Sequence, residues 1–134
     1  MRTQVHNIGS STRRTPGTAR ALASMFAVTG AVHFLAPRVF DPIVPRWLPG
    51  SSRSWTVASG LAEWALAALV AHRTTRNSGG LLSAAFLVAV FPANVRTVRI
   101  VRSRGMLAQL IAIARLPLQV PLIALALRVG RSAS

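Results

Sequence analysis

The sequence predicts an all-α fold, an integral-membrane four-helix bundle with a short N-terminal tail, and three observations carry that prediction. Apolar residues make up 51% of the 134, and the mean hydropathy is +0.46. The net charge of +14 comes from 16 arginines, no lysine and only two acids, yet the arginines punctuate long apolar runs instead of lining one polar face. That pattern argues against a nucleic-acid partner and for a bilayer. Four runs approach the roughly 20 apolar residues that a spanning helix needs, and they are apolar nearly all round, unlike a surface helix with one polar face. Strands are excluded because the runs are rich in Ala and Leu, too long, and without alternation.

Residues 1–17 have the Gly/Ser/Thr/Pro-rich composition of a disordered tail, followed by one four-helix domain over 18–134. Arg13-Arg14 resembles a twin-arginine export signal weakly, since Thr15-Pro16-Gly17 lacks the apolar residues that should follow. The first span covers about 18–36 and is stopped by Pro37, with His33 its one strongly polar side chain. The second, about 54–72, opens on Trp55 as an interfacial anchor and carries Glu63 in its middle. The third, about 79–95, holds Pro92 and Asn94 in its last turn. The fourth, about 106–128, contains Arg115, Gln119, Pro117 and Pro121, and the two prolines predict a kink around 113–121.

Four spans put both termini on one side. Eight arginines then lie on the side of the termini and seven on the other, so the positive-inside rule leans only slightly toward cytoplasmic termini. Arg96, Arg99 and Arg102 recur every three residues and form a basic stripe continuing the third helix toward phosphate headgroups.

Small residues at four-residue spacing mark helix contact faces in lipid. Ala19, Ala23, Ala27 and Ala31 form one such line, Ser59, Glu63, Ala67 and Ala71 a second, and Ala108, Ala112, Arg115 and Gln119 a third. Both charges therefore point inward. Glu63 lies nine residues after Ser54 and Arg115 nine after Met106, in helices that enter from the same side. Each is then roughly 13 to 14 Å deep, near the midplane of a core about 30 Å thick. A lone charge there costs on the order of 2.5 to 3.5 kcal/mol, so an ion pair or a water bridge between Glu63 and Arg115 is expected, structural by default. His33 and Asn94 allow two readings: a polar mouth above that pair, or a histidine bonded to a helix-end carbonyl and an asparagine capping its own helix. Asp41 lies in a loop whose prolines 37, 42, 45 and 49 disfavour a helix, and whose Trp47 reads as an interfacial anchor. The loop is either a rigid connector or a lid over the His33 mouth.

No cysteine means no disulfide, thiol redox centre, iron–sulfur cluster or c-type haem. Metal-ligand spacing, a Gly-rich phosphate loop and a Ser/His/Asp arrangement are missing too, so neither hydrolysis nor phosphoryl transfer is indicated, and no intrinsic cofactor or metal is expected.

Across about residues 20–128 the sequence resembles the DoxX (DoxX-like) family of small four-helix membrane proteins. The resemblance rests on His33-Phe34-Leu35-Ala36-Pro37, the stretch from Asp41 to Pro49, Ser59-Gly60-Leu61-Ala62-Glu63, Phe91-Pro92-Ala93-Asn94, and the stretch from Arg115 to Leu122. It implies a multi-pass protein of the bacterial plasma membrane, with some relatives associated with quinone-linked redox complexes. The function expected on this basis is a membrane subunit or accessory factor of such a complex, with redox proteins as partners. Its candidate ligand-binding set is His33, Glu63, Asn94, Arg115 and Gln119, with a quinone as the borrowed cofactor. Whether the chain is itself an enzyme stays open. A non-enzymatic scaffold is the alternative, and a small-solute or proton pathway would need a homo-oligomer, since four helices are few for a transporter.

Overall fold

The computed structural model describes residues 15–132, and every regular element among them is helical. The α-helices are α1 (Thr15–Leu35), α2 (Pro37–Phe40), α3 (Ser52–Ala71), α4 (Arg76–Ala89), α5 (Phe91–Ile100) and α6 (Met106–Arg131), with 3-10 turns at Asp41–Ile43 and Val101–Ser103. Four stretches are long and apolar enough to cross a membrane: Gly17–Leu35, Ser52–Ala71, Arg76–Ser103 and Met106–Arg131.

The boundaries depart from the expected ones where proline and glycine act. Helix α1 begins at Thr15 and the first span at Gly17, within the expected tail, and Pro16 falls in a first turn, where a missing N–H breaks no helical bond. The rest of the expected tail, including Arg13-Arg14, lies outside the described residues. The third span is longer at both ends than 79–95 and is divided at Val90. Pro92 cannot donate to a carbonyl one turn back, so the helix restarts there with the proline in its first turn. The same logic corrects the loop after α1: Pro37 opens the short helix α2 and Pro42 sits within a 3-10 turn. Helix α6 runs unbroken through Pro117 and Pro121.

Helix α1 lies along α3, α3 beside α4, α4 beside α6, and α6 returns more lightly to α1. The two extensive pairs approach through glycine. A Cβ on Gly30 would lie 3.0 Å from the Gly60 carbonyl oxygen, and one on Gly80 would lie 2.6 Å from the Gly130 Cα, so only hydrogen fits at these crossings. Trp64 fixes the first pair further by donating its indole N–H to the Ala27 carbonyl at 3.1 Å.

The apolar core gathers Ala19, Leu22 and Phe26 of α1, Leu66, Ala67 and Val70 of α3, Ala84 and Leu87 of α4, and Ala126 and Val129 of α6. The expected small-residue lines are only partly buried. On α1, Ala19 is buried but Ala27 is exposed, and on α3, Glu63 and Ala67 are buried while Ala71 is exposed. Strict four-residue steps rotate about 40° per step around a 3.6-residue helix. The buried faces instead alternate threes and fours: Ala19, Leu22, Phe26, Gly30 on α1, and Thr56, Gly60, Glu63, Ala67, Val70 on α3.

Helix α1 ends before its partner does. His33 lies against Gly60, so the stretch of α3 before Gly60 extends past the end of α1 by roughly 10 Å. The segment 36–50 folds into the space left, and that space holds the candidate site.

Candidate functional site

A cavity of about 570 Å³ occupies this half of the bundle. Helix α1 contributes Met25, Phe26, Thr29 and His33, α3 contributes Trp55, Thr56, Ser59 and Glu63, and the loop covers the site with Phe40, Ile43, Val44, Trp47 and Leu48. Phe86 and Leu87 of α4, Ala93, Asn94 and Thr97 of α5, and Arg115, Leu118, Gln119 and Leu122 of α6 complete the wall. All five residues singled out from the sequence, His33, Glu63, Asn94, Arg115 and Gln119, therefore line one space.

Their pairing differs from the expected one. Glu63 is buried, and its ion-pair partner among the described residues is His33, with Nδ1 3.2 Å from Oε2. The His33 Nδ1–H donates to the Thr29 carbonyl at 2.8 Å, since a carbonyl can only accept. The carboxylate oxygen thus lies beside the N–H but off its axis: the contact is electrostatic, and Oε2 receives no hydrogen bond among the described residues. Phe40 stacks on the other side of the imidazole, ring centroids 3.9 Å apart at 20°, and holds its orientation.

Arg115 lines the cavity but is exposed, and forms no ion pair among the described residues. Equal depth does not make two helices neighbours. Helix α6 packs chiefly on α4 and α5, and α1 packs on α3, so α3 and α6 face each other across the cavity. A helix that ends nearby, α1, delivers the partner that the distant one cannot.

Asn94 and Gln119 form the second polar unit. Asn94 donates its side-chain amide to Gln119 Oε1 at 2.6 Å, and buried Gln119 donates its own to the Leu87 carbonyl in a short contact. This chain links α5, α6 and α4, so Asn94 does not cap its own helix. His33, by contrast, satisfies both expectations, bonding a backbone carbonyl and facing the cavity.

The loop is pinned, as a connector would be, and it also roofs the cavity. Asp41 accepts from Arg53 Nε and Nη2 at 2.9 and 2.8 Å and from the buried Thr56 hydroxyl at 2.7 Å. The Arg53 guanidinium, then the Thr56 hydroxyl, hold the Asp41 carboxyl below its ordinary value. Arg96 Nε donates to the Pro42 carbonyl at 3.1 Å, and Trp55 Nε1 to the Pro49 carbonyl at 2.6 Å. Thr56 and Phe40 escaped the sequence reading. Thr56 lies seven residues before Glu63, on the same helical face, which was a usable signal. Phe40 carried none, because a one-turn helix brings it back onto His33.

Among protein families, the model described as Domain of unknown function (DUF8561) matches residues 22–130. The chain belongs to the DUF8561 family. No curated protein and no solved structure matches it. The DUF8561 match takes in part or all of each of the four spans, from the first buried leucine of α1 to the glycine crossing at the end of α6, and so includes every residue of the cavity wall.

Proposed function

We propose that this DUF8561 protein holds a lipophilic, carbonyl-bearing molecule of the quinone class in the cavity, as a membrane subunit or accessory factor of a quinone-linked redox complex. One observation carries the reading: a mostly apolar space of about 570 Å³, of a size suited to a small cofactor, into which a few polar groups converge from α1, α3, α5 and α6. The residues present fit such a ring. Phe26, Phe40, Phe86 and Trp55 offer flat apolar contact, and the Arg115 guanidinium and the second N–H of Asn94 are donors for a carbonyl oxygen. A bound quinone supplies a two-electron, two-proton couple, and the chain supplies orientation, exclusion of water and a carboxylate at Glu63. The resemblance to DoxX proteins supports the same reading, and with it a bacterial plasma membrane; the slight excess of arginines on the side of the termini supports cytoplasmic termini.

Trp47 and Trp55 line the site, so titrating the detergent-solubilised protein with a short-chain benzoquinone and following tryptophan quenching tests it. Saturable quenching that is lost in Ser59→Phe is expected, and unsaturable quenching in both proteins rejects the reading. A second reading, a non-enzymatic scaffold, is favoured by one observation: Asn94 and Gln119 satisfy each other and Leu87, as residues that only fix helix register would. Partner binding that survives Glu63→Gln with Arg115→Gln supports it.

A further inference from the structure

A second concavity, about 320 Å³, lies outside the cavity between the loop and the start of α5, lined by Pro45, Trp47, Pro92, Val95, Arg96 and Arg99. We infer that this groove binds the phosphate of an anionic phospholipid between Arg96 and Arg99, with Trp47 beside the headgroup. Three observations converge on that occupant.

The first is depth. Arg76 opens the third span, and Arg96 follows 20 residues later in a stretch that runs Arg76–Ser103. At 1.5 Å per residue this is roughly 30 Å, a full core thickness, so Arg96 and Arg99 lie in the last turns of the span, where their long side chains can reach toward the phosphates on the loop side. Trp47, 74% exposed, is of the residue type that settles at that level.

The second is charge. The chain has two acids, and both are engaged elsewhere: Asp41 by Arg53, Glu63 beside His33. Arg96 spends Nε on the Pro42 carbonyl, which fixes its side chain on the groove and leaves the terminal nitrogens for a ligand, and Arg99 has no ion-pair partner among the described residues. Two guanidiniums without a counter-charge match a phosphate diester, whose oxygens a planar fork can engage in pairs.

The third is the floor. Pro45, Pro92 and Val95 are apolar, which suits the glycerol and first acyl methylenes and does not suit a free, fully hydrated phosphate. The site is therefore assigned to a lipid, independently of what the cavity holds.

Native mass spectrometry of the solubilised full chain, titrated with phosphatidylglycerol or phosphatidylcholine, tests the assignment. One phosphatidylglycerol is expected to bind, about thirtyfold more tightly than phosphatidylcholine. Arg99→Gln, which breaks no bond within the protein, should weaken it about fivefold, and Arg96→Gln with Arg99→Gln about thirtyfold. Arg102→Gln with Arg104→Gln removes the same charge on the same side but outside the groove, and should change affinity less than about twofold. Thermal stability of Arg99→Gln should equal that of the parent. Equal binding of the two lipids, equal loss in the Arg102/Arg104 pair, or displacement of the lipid by millimolar inorganic phosphate would each overturn the assignment.

Discussion

The two ends of the bundle are built on opposite principles. Toward the termini, Gly79, Gly80 and Gly130 bring backbones together, Ala19, Val70, Ala126 and Val129 are fully buried, and the one buried polar side chain among the described residues at this end, Ser83, bonds the Gly79 carbonyl. Toward the loop, α1 stops early, and most of the polar side chains at membrane depth gather around an open volume. Association in lipid comes from close packing, so the first end holds the bundle together. The second end can then keep space and buried polar groups, which cost stability but give a ligand something to recognise.

The largest expected effect comes from breaking the buried pair. His33→Leu leaves Glu63 without its neighbour, at a cost of about 3 to 5 kcal/mol, read as a fall in melting temperature in detergent. A smaller loss would mean that Arg115 or solvent takes over. At the closed end, Gly80→Leu meets Gly130 backbone that cannot move aside, and should cost about 3 kcal/mol by the same assay. Between them, Gln119→Leu strands the Leu87 carbonyl and removes the Asn94 acceptor, for about 2 kcal/mol.

The loop provides a pH-dependent test. The folded pKa of Asp41 is depressed, so its bonds to Arg53 and Thr56 are intact at neutral pH and their stabilisation is lost only as the pH falls below the ordinary value of 3.8. Asp41→Asn should flatten the acid limb of a stability–pH curve while changing stability little at its bottom. The smallest effect sharpens the contrast most: Ala93→Leu, the enlargement of a residue that faces the cavity, should change stability by less than about 0.5 kcal/mol and yet weaken quinone quenching.

Much of this was readable in the sequence, for physical reasons that can be named. Length and all-round apolarity mark the spans. A polar side chain at membrane depth is so costly that the few present, His33, Glu63, Asn94, Arg115 and Gln119, mark the cavity wall. Which of them touch was not readable. Rise per residue gives depth, and it placed Glu63 and Arg115 level, but adjacency depends on which helices are neighbours around the ring. The glycine crossings were hidden behind equally plausible alanine lines, because both present small surfaces and only the 3.6-residue rotation separates them. The loop misled through proline, which forbids helix interiors but starts helices readily, as Pro37 does.

The pairing at Glu63 is the point on which the site depends, and a double-mutant cycle on thermal stability in detergent measures it directly. Glu63→Gln is combined with His33→Gln in one cycle and with Arg115→Gln in another. A coupling of about 1 to 3 kcal/mol is expected for Glu63 with His33, and less than about 0.5 kcal/mol for Glu63 with Arg115. The reverse order, strong coupling to Arg115 and none to His33, would contradict the arrangement.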